Sequence, residues 1–271
     1  MTGHNPPKLS VQFPGTGAAD HDWKNIGSPG VRGSTSTLLD GKLLIDAGVT
    51  AFENLERAGI APSQISALLI THTHIDHFDP AAIGKIIAAR NNTCAPLDIY
   101  VSPQGAERLR EKLPELKFNT YPLRSTVKVR IGNFTVTALP SNHLLENWDE
   151  ETFWFLIETP AGNMLYALDG AWMTPVAAAM TKPFFLDWIV WDGTMEKAGN
   201  WRSFEHSDLD MISMQINALV SRGNVSEKTL HIITHMAATL WPSQEESRKI
   251  IAAKGYFMAH DGLKLELVKA V

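Results

Sequence analysis

Cysteine is almost absent: Cys94 is the only one in 271 residues. A disulfide within the chain is therefore excluded, and a reducing compartment fits. A surplus of basic charge is also missing. With 24 Lys and Arg against 29 Asp and Glu, the formal charge is -5. That disfavours general nucleic-acid binding, because phosphate affinity rests on clustered cations. No apolar run is long enough to span a bilayer, and residues 1–9 carry neither the basic nor the apolar region of a signal peptide. A cytoplasmic protein without a membrane partner is the expectation. There is no fixed-period repeat, low-complexity tract or linker, so residues 1–271 are read as a single domain.

What is present is ordinary globular composition, 44% hydrophobic and 20% charged. Residues 9–13 form a candidate strand leading into Pro14-Gly15-Thr16-Gly17, a loop without the lysine and spacing of a P-loop. Residues 18–33, rich in Gly, Pro, Asp and Asn, predict a long loop. Strands at 36–39 and 42–45 pair as a hairpin through Asp40-Gly41, and Thr50 stands as cap to a helix over 51–58. Further strands are predicted at 65–70, 97–101, 126–131, 134–139, 153–158, 164–168, 186–191, 230–234 and 263–268. Helices are predicted at 81–89, 103–113, 208–221 and 243–253. Strands alternate with helices, with more hairpins than a purely parallel sheet shows. The class is α/β (α+β), sheets covered by helices.

The densest chemistry is Thr71-His72-Thr73-His74-Ile75-Asp76-His77-Phe78, directly behind the apolar run 65–70. Imidazole and carboxylate suit a borderline-soft divalent cation such as zinc. In an extended segment His72 and His74 point the same way, whereas the adjacent Asp76 and His77 cannot both join that face. Two ligand directions suggest a two-metal site; a polar surface loop is the plain alternative. Three more apolar runs end in a candidate ligand, namely His143, Asp169 and His235. Singly, each is as readily a capping, core or turn residue. Together they fit a site where loops converge at one edge of a layered sheet.

His72-x-His74-x-Asp76-His77, then His143, Asp169 and His235, resembles the metallo-β-lactamase superfamily over nearly the whole chain. The resemblance implies a four-layer αββα sandwich with a binuclear metal centre. His72, His74 and His143 would hold the first metal, Asp76, His77 and His235 the second, and Asp169 would bridge them. Asp46, in Leu44-Ile45-Asp46-Ala47-Gly48, resembles the superfamily's supporting aspartate. His74 stands where the iron-binding branch carries glutamate, so two zinc ions are expected, with manganese as the alternative.

Asp192-Gly193-Thr194, His206-Ser207-Asp208-Leu209 and Ile232-Ile233-Thr234-His235 look like the cyclic phosphodiesterases of phosphonate breakdown. In that group a histidine before this helix assists the reaction. His206 matches its place, with Asp208 positioned to orient it; the alternative is a histidine that merely precedes a helix capped by Ser207. Related sequences often carry a cysteine-rich insert after the Gly-Thr-Gly loop, and its absence here leaves the substrate open. Trp148, Trp172, Trp201 and Trp241 fall near site members and are expected to wall an apolar pocket, core filling being the alternative. His21, His231 and His260 read as structural or surface residues.

The expected activity is binuclear hydrolysis of a small, possibly cyclic, phosphodiester through a metal-bridging hydroxide, with Asp76 and His206 as catalytic residues. A lactonase or thioesterase would use the same ligand set. A metal-binding scaffold without catalysis is the third reading. The partner expected is a small-molecule substrate, and apolar residues on the helices leave a homodimer open.

Overall fold

The computed structural model describes residues 6–90 and 94–269, so residues 1–5 of the stretch read for a signal peptide lie outside the described residues. The first half runs β1 (Lys8–Gly15), β2 (Ser36–Leu39), β3 (Leu43–Ile45), α1 (Ala51–Arg57), β4 (Ala67–Leu69), α2 (Pro80–Ala89), β5 (Leu97–Val101), α3 (Pro103–Lys112) and β6 (Phe118–Pro122). It continues with β7 (Lys128–Ile131), β8 (Phe134–Pro140), β9 (Phe153–Thr159), β10 (Gly162–Ala167), α4 (Pro175–Thr181) and β11 (Trp188–Asp192). The chain closes with α5 (Leu209–Ser221), β12 (Leu230–Thr234), α6 (Gln244–Ala253), β13 (Phe257–Met258) and β14 (Leu263–Val268).

Two seven-stranded sheets result, ordered β14-β1-β2-β3-β4-β5-β6 and β13-β12-β11-β10-β9-β8-β7. Strand alternation decides what each residue packs against. Leu43, Ile45, Met164 and Tyr166 point into one core shared by both sheets. Leu44 and Leu68 turn outward onto Ala51, Leu55 and Ile83 of the first helices. Leu165 and Ala167 do the same on the other side, against Ala177, Ile212 and Ile251 of α4, α5 and α6. Helices thus cover the outer face of each sheet in an αββα sandwich.

Strand direction sets where the site can form. β3 and β4 run parallel, as do β10, β11 and β12. β8 shares the direction of β10 because both are antiparallel to β9. The loops leaving these strands therefore emerge at a common edge.

Besides the 3-10 turns Trp23–Asn25, Pro62–Gln64 and Trp201–Phe204, β6, α4 and the two-residue β13 escape the sequence reading. Two capping expectations are corrected. Thr50 makes no side-chain cap, because its hydroxyl accepts from Ser34 N at 2.7 Å. Helix α5 is capped by Asp208, not Ser207: Asp208 Oδ1 accepts from the amides of Asp210 and Met211 at 2.8 Å. Among the described residues no helix is long and apolar enough to cross a membrane.

Candidate metal centre

Each candidate ligand follows a buried strand, so its backbone is anchored before the side chain leaves the sheet. His72 Nε2, His74 Nδ1 and His143 Nε2 form one trio: the His72–His74 separation is 3.1 Å and the His74–His143 separation 2.9 Å. Asp76 Oδ2, His77 Nε2 and His235 Nε2 form a second, with separations of 3.1–3.4 Å. Asp169 stands between them. Its Oδ2 lies 3.6 Å from both His72 Nε2 and His143 Nε2, while its Oδ1 lies 3.1 Å from His77 Nε2 and 3.3 Å from His235 Nε2.

The surrounding hydrogen bonds explain why ring nitrogens face one another. Asp46 Oδ2 takes His77 Nδ1 at 2.9 Å, and Asp46 Oδ1 accepts from Thr71 N at 2.8 Å. His72 Nδ1 meets the Thr71 hydroxyl at 3.0 Å, and His235 Nδ1 meets the Thr194 hydroxyl at 2.8 Å. With their Nδ1 atoms engaged, these rings present Nε2 lone pairs to a common point. Asp46, Asp169 and His235 also have positive φ, 61°, 47° and 56°. Such backbone is uncommon outside glycine and collects at functional sites.

Charge supports the same picture. Against the pull of burial, Asp169, Asp76 and Asp46 hold the His77 imidazole well above its ordinary pKa. His235 is carried up to about 10 by Asp169, Asp192 and Asp76, again against burial. In the first trio, burial pushes His72 well below the ordinary value and His143 down to about 4. The acidic side chains near the second trio thus call for buried positive charge, which protons or a cation can provide.

The donor set fits divalent metal. Ligands about 2.0–2.1 Å from a tetrahedral zinc stand roughly 3.3 Å apart, and the separations within both trios match that spacing. Asp169 Oδ1 is buried and faces the two imidazole nitrogens without a well-aligned hydrogen bond. Nitrogen and carboxylate donors of this kind suit zinc and accommodate manganese.

His206 is brought to the same place. Its Nδ1 lies 2.8 Å from Asp192 Oδ2 and 4.0 Å from Asp169 Oδ2, and its ring is 4.9 Å from that of His143. Burial would lower its pKa, but Asp192 raises it. Asp208 makes no hydrogen bond to it, contrary to expectation: Asp208 Oδ1 accepts from the first amides of α5, and Asp192 is the carboxylate bonded to His206. Asp192 was legible by the rule that found the ligands, since it too ends an apolar run.

A cavity of about 440 Å³ opens over the ligands, its wall including Asp76, His206, Trp201, Arg202 and Glu205. Of the four tryptophans expected there, Trp201 alone lines it. Trp148 is exposed away from that wall. Trp172 lines a groove with Met214 on the outer face of α5, and Trp241 donates Nε1 to Gly193 O and lines a hollow behind the His235 loop. Trp148, Trp172 and Trp241 sit in irregular segments, where nearness in sequence does not fix direction. Arg202 and Glu205 were missed because they belong to a single 3-10 turn, Trp201–Phe204 and the residue after it, too short to show periodicity.

The other three histidines among the described residues make contacts within the fold. His21 bridges Met236 O and Arg32 N. His231 accepts from Trp191 Nε1, and His260 bonds a neighbouring backbone carbonyl. In the Gly-Thr-Gly loop, Gly15 is required by close packing, since a Cβ there would lie 2.1 Å from Ser34 O.

Known structures share this architecture. A diphosphatase from the PhnP family superposes with a TM-score of 0.73 at 20% identity, covering 97% of this chain and 99% of that one. Zn2+-bound PqqB from Methylobacterium extorquens gives 0.72 at 17% identity, covering 95% and 100%. Among curated proteins, a ribonuclease Z from Methanothermobacter thermautotrophicus is 29% identical over 114 residues, 38% of this chain and 36% of that protein. The aligned part is thus about a third of that relative's length. Residues 42–236, most of the chain and nearly all of the ligand loops, match the family model of the Beta-lactamase superfamily domain, and the chain belongs to that family.

Proposed function

We propose that this metal-dependent hydrolase cleaves a small phosphodiester, open or cyclic, at a centre holding two divalent cations, zinc in preference to manganese. Asp169 carries the reading, since its two oxygens face two separate ligand trios. His72, His74 and His143 would hold one cation, and Asp76, His77 and His235 the other. Cations bound there supply charge neutralisation and a water acidic enough to ionise near neutral pH.

The chain's own groups do the rest. Asp46 fixes the His77 ring, and Thr194 fixes His235. Asp76 lines the cavity, where its carboxylate can orient an attacking water. Asp192 holds His206 at Nδ1, which leaves Nε2 to deliver a proton to the departing alkoxide.

The names of a diphosphatase and a ribonuclease among the similar proteins support phosphoryl over carbonyl chemistry. The charge of -5 counts against an RNA substrate. A core drawn from both sheets supports reading residues 1–271 as one domain. The test is hydrolysis of bis(p-nitrophenyl) phosphate by zinc- and manganese-loaded protein, with a lactone, a thioester and a precursor transfer RNA in parallel. Diester cleavage alone is expected. Cleavage of only the carbonyl esters would replace this reading by a lactonase or thioesterase.

A further inference from the structure

From the apolar residues around the cavity we infer that the preferred diester is amphiphilic, with one long apolar alcohol arm. This rests on the phosphodiesterase reading and extends it to a substrate class.

The loops that bring the ligands together also carry large apolar side chains that nothing in the fold covers. Ile75 stands between His74 and Asp76, is 56% exposed and lines the cavity. Trp201 is 67% exposed and lines the cavity as well. Leu144, directly after His143, is exposed, and Phe204, two residues before His206, is 82% exposed. Away from the ligands the wall adds Ala18, Ala19 and Ala237. Exposed large apolar groups that are contiguous with a site mark a binding surface.

The two ends of the cavity make different demands. The ligand end suits an anionic phosphoryl group. Away from the ligands the wall offers methyl groups and the Trp201 ring beside three charged groups, Asp20, Glu205 and Arg202, the Arg202 guanidinium lying 5.5 Å from the Trp201 ring. An occupant that satisfies both ends has a charged head and an apolar tail. A sugar or a second polar arm would leave the Ile75, Trp201 and alanine surface of the wall uncovered.

The test is a series of p-nitrophenyl alkyl phosphates from methyl to octyl, with metal-loaded protein. Burial of each methylene is expected to raise kcat/KM up to about fourfold until the arm outgrows the wall. Trp201→Ala and Phe204→Ala should lower the octyl rate at least tenfold more than the methyl rate. Calorimetry with uncleaved alkyl phosphonates should show affinity rising with chain length and a negative heat-capacity change. A flat series with the methyl ester still cleaved would overturn the inference and spare the phosphodiesterase reading. No cleavage of any diester, with phosphonate affinity still rising with length, would overturn that reading while supporting the apolar subsite. A flat series together with binding to phosphatidylcholine vesicles would assign the residues to a bilayer surface and overturn the inference.

Discussion

His206 is fixed at one nitrogen by Asp192 and lines the cavity, a placement that suits proton transfer rather than metal ligation. His206→Ala is expected to lower kcat about a hundredfold with metal content unchanged. Metal analysis beside steady-state kinetics checks both halves. Asp46 acts at one remove, through His77 Nδ1 and Thr71 N. Asp46→Ala should weaken metal affinity about 10- to 100-fold, as loss of such supporting partners does, measured by chelator competition. The candidate ligands could be picked out because His72, His143, Asp169 and His235 follow apolar runs and His74, Asp76 and His77 cluster behind the first of these. The supporting carboxylate at Asp192 obeyed the same rule, whereas Asp208 followed the competing logic of a helix cap. Trp148, Trp172 and Trp241 had no such frame.

Between residue and molecule, the turn after β3 clamps the histidine loop. Ala47 N donates to His77 O and Val49 N to Ile75 O, and a Cβ on Gly48 would lie 2.1 Å from Asp76 O. Gly48→Ala should therefore displace Asp76 and His77 and leave the first trio, lowering bound metal from about two ions per chain to about one by elemental analysis. Strand β12 carries a different device. His231 is buried against Trp191, and burial lowers its pKa from 6.5 to about 4. Between those values the unfolded chain takes up a proton that the folded chain refuses. The contribution to stability is thus complete above the ordinary pKa and falls with acidification, by up to about 1.4 kcal/mol per pH unit. A His231→Gln variant, which keeps an acceptor for Trp191, should show a shallower acid limb in Tm against pH.

At this scale the sequence was uneven. Hairpins and capped helices with clear punctuation were readable, as with Asp79, which accepts from the amides of Ala81 and Ala82. Strand β6 was not, since its residues are half-buried or exposed and it ends in proline. The brief α4 had a usable signal in Thr174-Pro175, a side-chain cap followed by proline, but its seven residues give little periodicity.

Seen whole, the centre joins the two sheets. His72, His74, Asp76 and His77 follow β4 of the first sheet, while His143, Asp169 and His235 follow β8, β10 and β12 of the second. Metal binding should therefore stabilise the molecule as a unit, by about 4 kcal/mol at a thousandfold excess over Kd. Chelation is then expected to lower Tm on the order of 10 °C, read by calorimetry. Alternation and turns in the sequence pointed only to helix-covered sheets; the particular sandwich came from the resemblance carried by the ligand motif, since strand order is set by contacts between distant segments.

The most direct test of the shared centre is the metal stoichiometry of protein reconstituted with zinc and freed of loosely bound ions. About two ions per chain are expected, fewer when Asp169 is replaced by alanine. A single ion at saturation, or none, would contradict it.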